Sequence, residues 1–377
     1  MLASSPGLPS TSSSVVSTAS GGERHAEALY VQHGTFANAY SVAFDPDLER
    51  HWWRGAGDGG DGGIQAYARC DLLGVTCGFF DPLCAEDDAR HVIDDFIATT
   101  RSASPNERLV FWKVGAAVAE HLSRRGFHIA PYGLENDVVM TAKQLDLRGT
   151  SLRGLRRQIT AARRNGVYVE ALSPSSSRAE YAELECVTAR WRATRPQPLE
   201  ARRVTRRTPH RDEPHCTKVV ARLSTDGTAV GWAALDHIYE GGALVGCGLN
   251  ACRYDPAVSD GIASLLALDG AALVRGTLGE SNAGGCARPF KLALGESPLI
   301  EFPTTRGIFF GESERRSRFV EGVFRLVRER GRWIYGVGGI AAWKRKWRAA
   351  EQPTTFVAVD SARPVRASAA ALALILV

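Results

Sequence analysis

A chain of 377 residues exceeds what one ordinary hydrophobic core holds, so length alone predicts two domains. At 44% hydrophobic and 23% charged residues the composition is globular and excludes a disordered or fibrous protein. The net charge of +5 is mild but arginine-heavy and clustered, which argues for a local anionic partner rather than a generally basic protein.

Residues 1–22, rich in Ser, Gly, Thr and Pro, read as a disordered tail, and they lack the charged start and apolar run of a secretory signal. A first globular unit then spans 23–146. Gly63 to Phe80 reads as two strands joined by a tight turn, with Asp81-Pro82 ending the second. Glu86 to Thr100 places Val92, Ile93, Phe96 and Ile97 on one helical face, Leu109 to Val114 reads as a buried strand, and Ala116 to Arg125 as a second helix stopped by Gly126. Alternating strand and helix predicts an α/β (α+β layered) fold. The Gly55 to Gly63 run precedes a strand and lacks a Gly-Lys-Ser/Thr ending, so it is not a phosphate loop.

Residues 147–166 read as one helix linking the two units, with Ser151 as N-cap and Asn165-Gly166 as its end. Leu152, Leu155, Ile159 and Ala162 occupy one arc, and Arg153, Arg156, Arg157, Arg163 and Arg164 the adjoining one, with no carboxylate in the segment to neutralise them. Such a face is either a solvated surface or a polyanion contact. The second unit, 167–360, opens with a helix from Ser177 to Arg192 and continues with an antiparallel meander over Val219 to Leu223, Ala229 to His237 and Ala243 to Leu249. Between them, Arg192 to Arg211 holds seven arginines against the single acid Glu200, an extended positive loop whose Arg202, Arg203, Arg206 and Arg207 suit a phosphate backbone.

Ser259 to Leu273 then reads as a capped helix and Leu292 to Leu299 as a strand broken by a turn. Ala367 to Val377, in a tail at 361–377, is apolar but only about half the roughly 20 residues a spanning helix needs. The eight cysteines form no CxxC pair, which fits a reduced, cytoplasmic protein. Cys70, Cys77 and Cys84 read as buried thiols, and His210, His215 and Cys216 lack the second spaced pair that a metal site needs. No metal or cofactor is expected.

An ordered series of short motifs carries a family resemblance. Arg253-x-x-Pro256, Gly261 to Leu268, Leu294-Gly295-Glu296-Ser297-Pro298-Leu299 and Lys344-Arg345-Lys346-Trp347 follow in order. They are preceded by Ile64 to Tyr67, Asp81-Pro82, Phe96, Phe111, Gly126-Phe127, Gly133-Leu134-Glu135, Leu147-x-Gly149 and Leu155-Arg156. Over residues 30–358 the chain resembles the C-terminal catalytic domain of the bacterial phosphatidylglycerol lysyltransferases, or aminoacyl-phosphatidylglycerol synthases. The resemblance implies two tandem acetyltransferase-like (GNAT-type) domains joined by the basic helix, and an aminoacyl-tRNA as donor. Three departures stand out: no apolar run here is long enough to stand for the membrane-spanning region of the lipid enzymes, Arg348-Ala-Ala replaces an aromatic-proline sequel, and Glu296 and Ser297 stand where small or apolar residues are commoner. They point to a small hydroxyl or hydroxylamine acceptor in specialised metabolism such as antibiotic biosynthesis, as in soluble members similar to the valanimycin seryl transferase. Phosphatidylglycerol is the alternative acceptor, with the apolar tail as a peripheral membrane contact.

An aminoacyl ester is already activated, so the site must only orient an acceptor, remove its proton and stabilise an oxyanion. The lack of a Gly-x-Ser-x-Gly elbow agrees with a mechanism free of a covalent intermediate. The resemblance makes Arg253, Asp260 and Glu296 the expected catalytic residues, places Asp255 and Ser297 at the substrate, and gives Lys344 and Lys346 the terminal phosphates of the tRNA. Plainer roles stand beside these: Asp260 as a helix cap, Asp255-Pro256 as a turn, the lysines as solvated charges. Two other classes compete, an acetyl-CoA acetyltransferase and a non-catalytic RNA-binding protein. The first should show a Gln/Arg-x-x-Gly-x-Gly/Ala loop opening a helix. Arg253-Tyr-Asp-Pro-Ala-Val-Ser-Asp-Gly lacks those glycines, and nothing points to DNA.

Overall fold

Strand and helix alternate much as the apolar pattern requires in the computed structural model, which describes residues 15–55, 62–173, 175–194, 213–278, 289–298, 318–330 and 337–360. The first half comprises α1 (Val15–His33), α2 (Ala39–Phe44), β1 (Glu49–Trp53), β2 (Gly63–Cys70), β3 (Val75–Cys84), α3 (Ala89–Ala103), β4 (Arg108–Val114), α4 (Ala116–Arg124) and β5 (His128–Val139). A short α5 (Ala142–Leu145) and α6 (Arg153–Arg164) lead into the second half. This holds β6 (Val167–Ala171), α7 (Arg178–Ala193), β7 (Cys216–Leu223), β8 (Ala229–Glu240), β9 (Ala243–Tyr254), α8 (Ile262–Gly276), β10 (Lys291–Pro298), α9 (Arg318–Arg330), α10 (Val337–Arg345) and β11 (Thr354–Val359).

Among the described residues all strands join one sheet, in the order β1-β2-β3-β4-β11-β5-β10-β9-β8-β7-β6. The two halves repeat a theme. Antiparallel strands end in β3 or β9, a helix (α3 or α8) crosses over, and β4 or β10 pairs parallel to β3 or β9. The last strand of each half then pairs with the other half: β11 runs antiparallel to β4, β5 antiparallel to β10, and the two lie side by side. This is the tandem acetyltransferase-like fold, α/β in class, with its final strands exchanged. The intervals 23–146 and 167–360 therefore differ from the halves of the sheet, because β11 comes from the second interval and completes the first half.

Helices cover both faces of each half, which is why the central strands read as almost continuous apolar runs. In the first half, α1, α2 and α9 pack on one face through Tyr30, Val42, Trp112 and Phe324, and α3 and α4 on the other through Phe96, Phe111, Leu122 and Phe127. In the second half, α6 and α8 bury Leu155, Ile159, Leu265 and Leu266 against the sheet, opposite α7 with Leu184 and Val187. The Ser177 side chain and Glu180 form a reciprocal capping box at the start of α7, which fixes where that helix begins.

Three local expectations are corrected. Residues 15–22, read as tail, belong to α1, whose Ala26, Leu29 and Tyr30 are buried and anchor the helix from which those first turns extend. Strand β3 continues through Asp81-Pro82 to Cys84 because a register shift opposite Gln65, with Phe80 at φ +64°, absorbs the irregularity as a bulge. A 3₁₀ turn over Thr150–Leu152 precedes α6, so Ser151 is not its N-cap.

The N-terminal segment also ties the halves together. Gly34 and Gln32 carbonyls accept from the Tyr239 and Gly241 amides at 2.9 and 3.1 Å, and the Tyr30 hydroxyl donates to the His237 carbonyl. His215 bridges Glu27 of α1 and Tyr239 of β8, each at 2.8 Å, with Cys216 half-buried beside it. Cys77 and Cys84 are buried and Cys70 half-buried. His210, Cys286 and the apolar Ala367 to Val377 lie outside the described residues. No described helix is long and apolar enough to cross a membrane.

Candidate active site

Strand irregularities converge where the exchanged strands meet. In β10 the register against β5 shifts between Ala293 and Glu296, and Gly295 sits at φ +73°, a conformation that an L side chain resists. The bulge turns Glu296 onto β5, where its side chain lies over Gly133. A Cβ there would come within 2.7 Å of the Glu296 carboxyl carbon, so Gly133 is the space that the carboxylate occupies. Asn136, 1% exposed, pins the bulge through its amide nitrogen, which donates to the Gly295 carbonyl and to Ser297 Oγ, both at 3.1 Å.

Other elements complete the surroundings. Thr355 of β11 donates to Glu296 Oε1, and Lys344 of α10, 6% exposed, donates to the Glu296 carbonyl at 2.5 Å. Lys113, the last residue but one of β4, has φ +62°, which carries its side chain inward to Asn38 Oδ1 and to 3.5 Å from Glu135. Asp81, re-aimed by the β3 bulge, accepts from the Gly115 amide at 2.8 Å. Non-glycine residues at positive φ are uncommon and strained, and Phe80 and Lys113 both border this cluster.

Burial governs the charges. It pushes the Glu296 carboxyl up to about 7, against the pull of Lys113 and the Thr355 hydrogen bond. It pulls the Lys344 ammonium down to about 7, with Lys113 adding to the fall and Glu296 opposing it. Burial likewise raises Asp81 to about 6. An acid and a base that both exchange protons near neutrality, in contact with one strand bulge, are suited to proton transfer.

The expected site residues divide among several places. Glu296, Ser297 and Lys344 come together. Lys344 and Trp347, three apart, share one face that points inward, with Trp347 buried in the second core, while Lys346 stays half-buried. Arg253 lies near the end of β9, 5% exposed, its guanidinium 4.2 Å from the Trp191 ring of α7. Asp255 forms the turn, accepting from the Ala257 amide at 3.0 Å and pairing with Arg190 at 3.2 Å. Asp260 is exposed before α8, and Ser259 Oγ rather than Asp260 accepts from the Gly261 amide.

On α6, Arg163 pairs with Asp269 of α8 at 2.8 Å, so a carboxylate distant in sequence does neutralise part of the arc. Arg156 donates to the Leu147 carbonyl at 2.6 Å, while Arg153, Arg157 and Arg164 are exposed. Arg202, Arg203, Arg206 and Arg207 lie outside the described residues.

Sequence reasoning missed Asn38, Lys113 and Asn136 and gave Asp81 and Glu135 no chemical role. The one available signal was a lysine inside the apolar run Leu109-Val-Phe-Trp-Lys-Val114, which a strand period alone does not explain.

The family model described as phosphatidylglycerol lysyltransferase, C-terminal, matches residues 62–358. The chain belongs to that family. Membership makes it an aminoacyltransferase, and the motif series that carried the resemblance lies largely within the matched span. The C-terminal domain of a protein described as a lysylphosphatidylglycerol synthetase from Agrobacterium fabrum superposes with a TM-score of 0.70 at 19% identity, covering 95% of this chain and 98% of that one. L-PGS from Bacillus licheniformis gives 0.68 at 17% identity over 93% and 96% of the two chains. A conserved protein of unknown function from Bacteroides thetaiotaomicron gives 0.51 at 11% identity over 90% and 97%. At these identities the likeness is one of fold. A comparison with curated proteins returns no match.

Proposed function

We propose that this phosphatidylglycerol lysyltransferase family member moves an aminoacyl group from an aminoacyl-tRNA to the hydroxyl or hydroxylamine oxygen of a small acceptor. The observation that carries the reading is the Glu296 carboxyl held over Gly133, with the Lys344 ammonium bonded to the carbonyl of the same residue; burial brings both groups toward about 7. Glu296 takes the acceptor proton as the oxygen attacks the ester carbonyl. The Lys344 ammonium, beside the Glu296 carbonyl, offers its remaining N–H bonds to the oxyanion. On collapse the bond to the ribose oxygen breaks, and Glu296 returns the proton to that oxygen. Ser297, which accepts from Asn136, keeps the bulge in place. In this reading Arg253, Asp255 and Asp260 act on donor binding from outside the proton-transfer cluster, and Lys346 is the motif's lysine left to meet phosphate.

Phosphatidylglycerol as acceptor is the second reading, favoured by the family's name. A panel of aminoacyl-tRNAs, each labelled in its amino acid, offered with a cell extract and with phosphatidylglycerol vesicles, decides between them. Label in a water-soluble ester supports the first reading and label in lipid the second. Transfer from acetyl-CoA and from no aminoacyl-tRNA would falsify both.

The donor also makes the arginine face testable. Replacing Arg153, Arg157 and Arg164 with Ala should weaken tRNA binding and reduce the slope of log affinity against log salt by about 2 to 3, as three lost phosphate contacts require. Arg163→Ala, which breaks the pair with Asp269, should act mainly on stability. An unchanged salt slope in the triple variant removes α6 from the interface.

A further inference from the structure

The carboxylate of the second half sits beside a cation from the first. Lys113, the last residue but one of β4, is 7% exposed and is held by three contacts: Asn38 at the start of α2, Glu135 of β5 at 3.5 Å, and the Phe80 ring at 5.6 Å. Glu135 and Glu296 are register partners across β5 and β10, so the Lys113 ammonium lies beside the strand pair that carries both carboxylates. Asn38 falls outside the span matched by the family model, 62–358, in the segment whose backbone is also bonded to β8.

We propose that Asn38 and Lys113 are positioning residues of the transfer site, the first holding the second so that a cation from the N-terminal half fixes the Glu296 carboxylate over Gly133. A buried lysine keeps its charge only where that charge is matched. The charged groups around it supply that match: Asp81 of β3, Glu135 of β5 and Glu296 of β10 against Lys113 itself and Lys344 of α10. The strained backbone at Lys113 is then the means by which a strand end delivers a charge across the junction, and α1–α2 becomes part of the site rather than a leader to it.

The inference rests on Glu296 as the proton acceptor, and its test reads the carboxylate without needing turnover. Full-length protein labelled with ¹³C at glutamate carboxyls is titrated by NMR, the Glu296 resonance being assigned by its loss in Glu296→Gln. The wild-type midpoint is expected at about 7. Lys113→Met should raise it by about one unit or more, since Lys113 is the strongest influence holding the Glu296 carboxyl down and a neighbouring opposite charge depresses a carboxyl by that order. Lys113→Arg should restore it to within a few tenths of a unit. Asn38→Ala, which leaves the lysine in place, should shift it the same way by less, and carries the test if Lys113→Met does not fold. An unmoved midpoint in a folded Lys113→Met or Asn38→Ala protein overturns the proposal. A shifted midpoint in a protein that transfers from no aminoacyl-tRNA sinks the functional reading and leaves the coupling standing. Transfer with no shift does the reverse.

Discussion

Replacing Glu296 with Gln is expected to lower the turnover of aminoacyl transfer by roughly 10²- to 10⁴-fold, the range that a positioned proton acceptor contributes. The amide keeps the shape over Gly133 and still accepts from Thr355, so KM should change little and the loss should appear in kcat. In the unmodified enzyme, activity should rise with pH as Glu296 loses its proton near 7, then fall as Lys344 loses its own near 7, giving a narrow optimum about neutrality. Lys344→Met should remove the alkaline limb. Stability gives an independent readout of the same groups. Because the folded-state carboxyl titrates above its unfolded value of about 4.5, the folded chain binds more protons between about 4.5 and 7, and the Glu296 contribution falls as pH rises through that window. Lys344, depressed from 10.5, has the opposite sign, and its contribution recovers as pH rises above about 7. Glu296→Gln should therefore lack the fall between pH 5 and 7 in urea midpoints. A variant with wild-type turnover and a wild-type stability profile would remove Glu296 from the chemistry.

Ending the chain before Thr354 should unfold both halves. Strand β11 supplies Phe356, Val357, Ala358 and Val359, all about 1% exposed or less, and it fills the gap between β4 and β5. Its loss bares the edges of a strand in each pairing partner and removes the Thr355 bond to Glu296. Were the two halves independent domains, the truncated chain would keep one of them. The exchange predicts instead a single cooperative transition for the whole protein, and loss of that transition on truncation. A milder test is Phe356→Ala, which empties a site against Phe111, Phe127 and Ile129 and should cost about 3–5 kcal/mol. Two separated urea transitions, with only one moved by Phe356→Ala, would show that the halves fold alone.

How much of this was legible beforehand follows from the range of each interaction. The apolar arc of α6, the helix begun at Ser177 and the broken strand at Gly295-Glu296 are written within a few residues, and each appears where the sequence places it. The family motifs single out Glu296 and Lys344 for the same reason, since each lies in a short run of consecutive residues. Arg163 shows the limit, since its partner Asp269 is 106 residues away and nothing in the helix announces it.

The sequence by itself determined the α/β class, the repeat of strands and helices, and the family. Local periodicity decides which residues an element buries, and that information survives in any single chain. Only the tertiary structure decided that β11 pairs with β4 and β5 with β10, because two apolar final strands offer the same pattern to either half and the choice lies in contacts more than 100 residues apart. It also decided which groups meet at the candidate site. Bulges at Phe80 and Gly295 and the left-handed backbone of Lys113 turn side chains off the faces that a period of two assigns to them, and Asp81, Lys113 and Glu296 meet only once the exchanged strands are in place.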